Sequence, residues 1–255
     1  MTEMLTSPQN DRVKSVVALH RSKGRRASGS FLVEGQHPVA EALADGWVNE
    51  IFCLAHLEDR FAGDVQVTLV DDRVLRAMSD AKTPQGVVAV AGVRTSTLGD
   101  VVGSGLLVVL SAASDPGNAG SIIRTADAVG AAGVVFTHGS VDPFSPKVAR
   151  STAGSITHVP LVLDVELAEV IAACRASGQR TVGLEAASEV QITAPGMFAG
   201  AVALVMGSEA HGLPPEIRSD LDDLASVPVY GRSESLNLAV ATAVTLYEAA
   251  RQQRT

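Results

Sequence analysis

From residue 106 onward the sequence repeats one pattern: a short aliphatic run, a break at glycine or a polar loop, then a helical stretch. LLVVLSA (106–112), GVVFT (133–137), THVPLVL (157–163), TVGLEA (181–186) and AVALVMG (201–207) are apolar runs of strand length, bounded by turn signals. Helical spacing occupies 119–130, 146–151 and 166–177. A short helix at 215–221, a strand SVPVY (226–230) and a long helix from Leu236 to Arg251 complete the series. Strands without polar alternation must be covered on both faces, and helical crossovers supply that cover. The pattern predicts an α/β fold with a mostly parallel sheet and helices on both faces.

Residues 1–94 read as a smaller α/β unit. FLVEG (31–35), EIFCLA (50–55), VQVTLV (65–70) and GVVAVAGV (86–93) are strand-like, with helical spacing at Val13–Leu19, His37–Leu43 and 73–80. TSTLGDVVGSG (95–105) carries small and polar residues with little periodicity and reads as a linker, leaving 106–255 as the second domain.

Two cysteines, Cys53 and Cys174, lie far apart and outside any CxxC or Cys/His cluster, which argues against a zinc site or a disulfide framework. No run of 18 apolar residues occurs, and MTEMLTSPQNDRVK has no apolar leader core. The expectation is a cytoplasmic protein without membrane span or metal. A net charge of −8 speaks against a nucleic-acid partner, but the charge is uneven. Between Arg12 and Val33 stand six cations (Arg12, Lys14, Arg21, Lys23, Arg25 and Arg26) and no acid, whereas Ser151 to the C-terminus holds six cations and twelve acids. Screening confines such fields to roughly 8–10 Å, so a basic stripe on an acidic body can still hold phosphates. A solvated, flexible arm is the other reading, and the sequence does not choose.

Three segments can carry chemistry. In SDPGNAGSIIRTADAVGAAG (114–133) a turn follows a buried strand, Asn118 stands where a helix N-cap belongs, and Arg124 falls opposite the apolar face of Ile122, Ile123, Ala126 and Val129. A helix N-terminus beside a guanidinium suits phosphate or ribose, though a cap and a surface arginine describe the same residues. LVMGSEAHGLPPEI (204–217) runs from a strand into Gly207, where glycine permits close ligand approach at the carboxyl edge of a parallel sheet. Ser208, Glu209 and His211 do not make a hydrolase: there is no GxSxG elbow, and loop neighbours rarely converge as a triad. In VPVYGRSESLNLAVATAV (227–244) a strand breaks at Gly231, and Ser235 is the expected N-cap, with Leu236 and Asn237 in the first helical turn.

Together and in this order, these segments resemble the SpoU (TrmH) family of RNA ribose 2′-O-methyltransferases, of the SPOUT superfamily. NxGxxxRTAxAxG is met by Asn118, Gly120, Arg124, Thr125, Ala126, Ala128 and Gly130; LVxGsExxGL by Leu204, Val205, Gly207, Ser208, Glu209, Gly212 and Leu213. IPxxGxxxSLNvavA is met by Val227, Pro228, Gly231, Ser235, Leu236, Asn237 and Ala241, with Val227 in place of isoleucine. SPKVARSTAGSITHVP (145–160) is also similar, and the FLVEG region (31–43) looks more loosely like the family's RNA substrate-binding domain.

The resemblance implies a C-terminal domain with a deep trefoil knot, which periodicity does not reveal and which general folding rules make rare. It implies a smaller L30e-like N-terminal domain, a homodimer, and S-adenosylmethionine as cofactor. It further implies cofactor contacts at Gly207, Val227 and Leu236, together with Glu185 and Val229, and catalytic roles for Arg124, Asn118, Glu209, Ser235 and Asn237. Arg124 would grip the phosphate beside the target ribose, Asn118 would orient Arg124, and Glu209 would fix the guanidinium or its loop. RNA contacts are expected at Arg21, Lys23, Arg25, Arg26, Lys147 and Arg150, with 23S ribosomal RNA favoured over transfer RNA. The rivals are a catalytically silent RNA- or ribosome-binding protein of the same fold and a Rossmann oxidoreductase, for which GxGxxG is lacking.

Overall fold

The computed structural model describes residues 4–254, so the reading of the N-terminus falls partly outside the described residues, at 1–3. Strands β1 (Ser30–Glu34), β2 (Val48–Cys53), β3 (Gln66–Leu69) and β4 (Val87–Gly92) alternate with α1 (Asp11–Ala18), α2 (Ser22–Ser28), α3 (Gln36–Ala44), α4 (Glu58–Phe61) and α5 (Asp72–Met78). Helices α6 (Leu98–Val101), α7 (Pro116–Val129), α8 (Pro146–Ser151), α9 (Leu167–Ser177), α10 (Pro215–Arg218) and α11 (Leu238–Arg254) follow. With them come β5 (Leu106–Leu110), β6 (Gly133–Thr137), β7 (Leu161–Val165), β8 (Arg180–Leu184), β9 (Val202–Met206) and β10 (Asp223–Ala225).

The chain divides into two units: residues 4–94 with Asp142–His158, and Thr95–Val141 with Val159 onward. The segment 142–158, expected with the C-terminal domain, thus folds with the N-terminal one. Phe144 lies 4.9 Å, centroid to centroid, from Phe31, and Asp142 accepts hydrogen bonds from Arg25 at 2.6 and 3.0 Å. Its place beside β6 in the sequence hid these distant partners. Nor is 95–105 a free linker. Thr97 and Asp100 form a reciprocal capping box that starts α6, and Val101 is buried in the second unit's core.

The first unit has a four-stranded sheet of order β1-β4-β2-β3, antiparallel except for the β2–β3 pair. Here α2 runs through the basic stripe, which is thus part of a helix and not a flexible arm. It packs against the end of α1 because residue 24 is glycine: a Cβ there would lie 2.1 Å from the Ala18 carbonyl oxygen.

The second unit has six strands in the order β10-β8-β9-β5-β6-β7, all parallel. All five residues of β5 are buried, as expected of a central parallel strand. From β5 the chain steps outward to β6 and β7, then returns to the opposite side of β5 for β8, β9 and β10. The carboxyl ends of β5 and β9 therefore flank a topological switch point, where open α/β sheets place ligands. SVPVY is not a strand. Strand β10 ends at Ala225, Ser226 makes one isolated bridge to Gln191, and 227–230 pairs with no strand, consistent with Pro228, which has no N–H to donate.

Candidate active site

Helix α7 begins one turn from where the sequence suggested. Asp115, not Asn118, is its N-cap: the Asp115 carboxylate accepts from the Asn118 N–H at 2.8 Å, and Pro116 fills the first turn. This moves Asn118 inside the helix, buried, with its amide free for tertiary contacts. At α11 the cap moves the other way, toward the C-terminus. Asn237, not Ser235, caps it, its Oδ1 accepting from the N–H groups of Ala239 (2.9 Å) and Val240 (3.3 Å).

Both displaced asparagines meet. Asn237 Nδ2 donates to Asn118 Oδ1 at 2.9 Å, and Asn118 Nδ2 donates to Glu209 Oε1 at 3.1 Å. Glu209 also accepts from the Ser114 N–H and hydroxyl and from the Asp115 N–H, at 3.1–3.2 Å. One chain of hydrogen bonds thus ties together the loops after β5, after β9 and before α11. Desolvation pushes the Glu209 carboxyl upward, but the hydrogen bonds from the Asn118 amide and the main-chain N–H groups of Ser114 and Asp115 outweigh it and hold the pKa at about 2. At neutral pH Glu209 is a fixed anion and a poor proton acceptor, so its work is to hold its loop and Asn118.

Beside this chain lies a pocket of about 670 Å³ at the carboxyl ends of β8, β9 and β10, within the range typical of ligand sites. Gly207, Val227, Leu236, Glu185 and Val229 line it, as do Glu209, Ser235 and Asn237. Gly207 is irreplaceable on steric grounds: a Cβ would sit 2.1 Å from Gly212 C and 2.3 Å from Leu213 N. Ser208 and Gly212 close that loop by exchanging main-chain hydrogen bonds at 2.9 and 3.1 Å. The walls offer mainly backbone, small aliphatic side chains and three carboxylates, Glu185, Glu209 and Glu234, with no cation among them. Such a donor set fits a nucleoside carrying positive charge. Sequence reasoning missed Glu234 and Gln191, which lie outside the motif positions that a main-chain site singles out.

Arg124 is placed differently from the expectation. It is exposed on α7, does not line the pocket, and has no hydrogen-bond or ion-pair partner among the described residues. Asn118 faces Asn237 and Glu209 rather than Arg124, so it does not orient the guanidinium within this chain.

The basic residues separate into two groups. Arg25 is 5% exposed, ion-paired with Asp142, and donates to the Leu19 and His20 carbonyls. It is a structural residue, and its expected RNA contact is withdrawn. Arg150 is paired with Asp80 and Glu34. By contrast Arg21, Lys23, Arg26 and Lys147 are exposed. Among the described residues no cluster of His, Cys, Asp and Glu could hold a metal ion.

The fold and site define an α/β protein with a pocket walled by main-chain loops at the carboxyl edge of a parallel sheet, with amide side chains fixed beside it. The model of the SpoU rRNA Methylase family matches residues 105–247, and that of the MRM3-like substrate binding domain matches 10–89. The chain belongs to the SpoU rRNA methylase family. It is 34% identical over 253 residues to the 23S rRNA (guanosine(2553)-2′-O)-methyltransferase RlmP of Bacillus subtilis, covering 96% of this chain and 98% of that one. Among solved structures, an AdoMet-bound rRNA methyltransferase from Sinorhizobium meliloti superposes with TM-score 0.89 at 34% identity, over 98% and 97% of the two chains. AviRb from Streptomyces viridochromogenes with its cofactor AdoMet gives 0.85 at 30% identity, over 96% and 98%.

Proposed function

We propose that this chain transfers the methyl group of S-adenosylmethionine to a ribose 2′-hydroxyl of ribosomal RNA. The hydrogen-bond chain Asn237–Asn118–Glu209 carries the reading, because it locks the three loops of the family's motifs around a main-chain pocket. When bound, S-adenosylmethionine supplies an electrophilic methyl group on a sulfonium. Gly207, Val227 and Leu236 would hold it through the backbone, and the absence of lining cations suits its charge. In this reading the loops that wall the pocket belong to a deep trefoil knot, and the N-terminal unit is an L30e-like RNA-holding domain.

Methyl transfer is an in-line displacement, so alignment dominates: correct positioning can supply ~7–11 kcal/mol of the barrier. The aligning cation is Arg124, which stays protonated in proteins and so acts by gripping a phosphate and placing the hydroxyl, not as a base. Because it lies off its own pocket, we assign it to the site of a second copy. Helix α11 packs against α7 and leaves Val240, Val244 and Tyr247 exposed at 49%, 43% and 60%, with Leu236 at 37%. This i, i+4, i+7 stripe is the face on which a homodimer would form, bringing Arg124 of the partner subunit to the pocket. The cytoplasm follows as the compartment of ribosomal RNA, and no described helix is long and apolar enough to cross a membrane.

Ribose methylation mapped in total RNA from cells with and without the protein should differ at a ribosomal position, and purified protein should transfer tritium from labelled donor to that RNA. No altered position together with no donor binding would end the proposal. Arg21, Lys23 and Arg26 are expected to contact phosphates. Replacing all three by alanine should flatten the slope of log K against log salt by about 2, at roughly 0.7–0.9 per phosphate. An unchanged slope would leave them as solvated surface.

A further inference from the structure

Tyr230 is the most exposed large hydrophobic side chain among the described residues, at 94%, whereas Phe31, Phe52, Phe61, Phe136 and Phe198 are fully buried. It follows Val227, Pro228 and Val229, which line the pocket, but does not line it itself. The segment is pinned at both ends. Ser226 donates its N–H to the Val190 carbonyl at 2.8 Å and accepts from the Ile192 N–H at 3.0 Å, and Asn237 caps α11. Tyr230 and Arg232 thus stand on the outer turn of an anchored loop. Both are exposed, and neither has a hydrogen-bond or ion-pair partner among the described residues.

We propose that Tyr230 is the stacking platform for the base of the acceptor nucleotide and that Arg232 holds one of its two flanking phosphates, so that the site selects a ribose whose base is unpaired. Three observations support this. The acceptor hydroxyl must enter the pocket while its base stays outside, and Tyr230 stands beside the pocket without lining it. In the loops that wall the pocket (185–191, 207–214 and 227–237) Arg232 is the only Lys or Arg, against Glu185, Glu189, Glu209 and Glu234. Arg218, on α10, is already ion-paired with Glu185, Nε to Oε2 3.1 Å. An RNA backbone approaching this acidic wall therefore has Arg232 as its nearby cation within the chain, and Arg124 of the partner subunit takes the other phosphate. Finally, the turn after Tyr230 is small or polar (Gly231, Arg232, Ser233, Glu234), unlike the stripe Val240, Val244 and Tyr247 assigned to a second copy. An aromatic face next to a guanidinium suits the π-face and phosphate of an unstacked nucleotide. A base inside a helix has both faces covered and cannot use such a platform.

The inference rests on methyl transfer to ribosomal RNA, and its test separates the two. Tritium transfer from labelled S-adenosylmethionine to ribosomal RNA from cells lacking the protein would give kcat and KM for the wild type, Y230A, Y230L, Y230F, Y230W and R232A. Y230A and Y230L should lose about 10- to 100-fold in kcat/KM, the range of one base–aromatic stack. The loss should fall on KM, because the stack forms before the methyl group moves. Y230F and Y230W, which keep a flat ring, should retain most of the wild-type value. R232A should reduce the slope of log kcat/KM against log salt by about 0.7, the single-strand value for one phosphate, whereas Y230A should leave that slope unchanged. Calorimetry with S-adenosylhomocysteine should give wild-type affinity throughout, and a thermal melt confirms that each variant is folded. If Y230L performs like Y230F, the contact is not a stack and the inference is overturned. If Y230A changes the oligomeric mass, a second copy covers the ring and no base does. If Y230A loses affinity for S-adenosylhomocysteine, the residue belongs to the donor site instead. If the wild type neither transfers label nor binds S-adenosylmethionine, the functional reading itself fails.

Discussion

Arg124→Ala is expected to slow methyl transfer by about 100- to 1,000-fold, the usual effect of removing one preorganised charge from a transition state, while donor affinity stays within about twofold. The split follows from geometry: Arg124 is exposed and lines no part of the donor pocket, so its loss takes nothing from donor binding. Single-turnover rates and calorimetry measure the two arms. The dimer assignment adds a sharper expectation. Mixing R124A with a variant whose pocket is blocked should restore up to about a quarter of wild-type activity, since statistical exchange yields hetero-pairs in which one site has an intact pocket and an arginine from the other copy. Activity that does not recover on mixing, with exchange shown by mass, would place Arg124 in its own subunit's site. Collapse of donor affinity in R124A would refute the alignment role altogether.

Gly207→Ala should reduce donor affinity by about 100-fold, some 2.8 kcal/mol. The added methyl meets only backbone, at 2.1–2.4 Å from Gly212 and Leu213, so no side chain can move aside. The loop 208–212 must shift, breaking the Ser208–Gly212 pair and carrying Glu209 away from Asn118 and Ser114. Gly231→Ala is the matched control: it too occupies a motif position, but nothing lies within 4 Å of a Cβ there. It should bind the donor like wild type. Calorimetry on both variants, with circular dichroism to show retained fold, decides the matter; equal affinity for Gly207→Ala and wild type would mean that the loop has slack the packing does not show.

The glycine, asparagine and glutamate positions of the site were legible in the sequence because main-chain pockets select residue types locally. A strand that must end in a tight loop shows its glycine, and helix N-termini show their polar caps. The identity of each cap was not legible. Asp115 and Asn118, or Ser235 and Asn237, are equally good caps by residue type, and only the register of the first turn decides that Asn118 is released from capping while Asn237 caps α11 and still turns its amide to Asn118. The strand assigned to 226–230 failed for a related reason: aliphatic residues there face a pocket rather than a sheet, and hydrophobic pattern alone cannot tell these apart. Likewise Arg25 carries the same charge as Arg26. One is buried against Asp142 and the other is exposed, a difference set by a segment more than a hundred residues away.

What the amino-acid order determined by itself is the alternation of aliphatic strands and helices, and with it a parallel sheet whose loops gather at one edge. Those are consequences of local periodicity and of the need to cover both faces of buried strands. Only the tertiary structure decided that residues 142–158 fold with the first unit, that Glu185 and Arg218 meet, and that Arg124 stands outside its own pocket. Each depends on groups far apart in the chain meeting at hydrogen-bond or ion-pair distance, or failing to, and no short-range pattern encodes such distances.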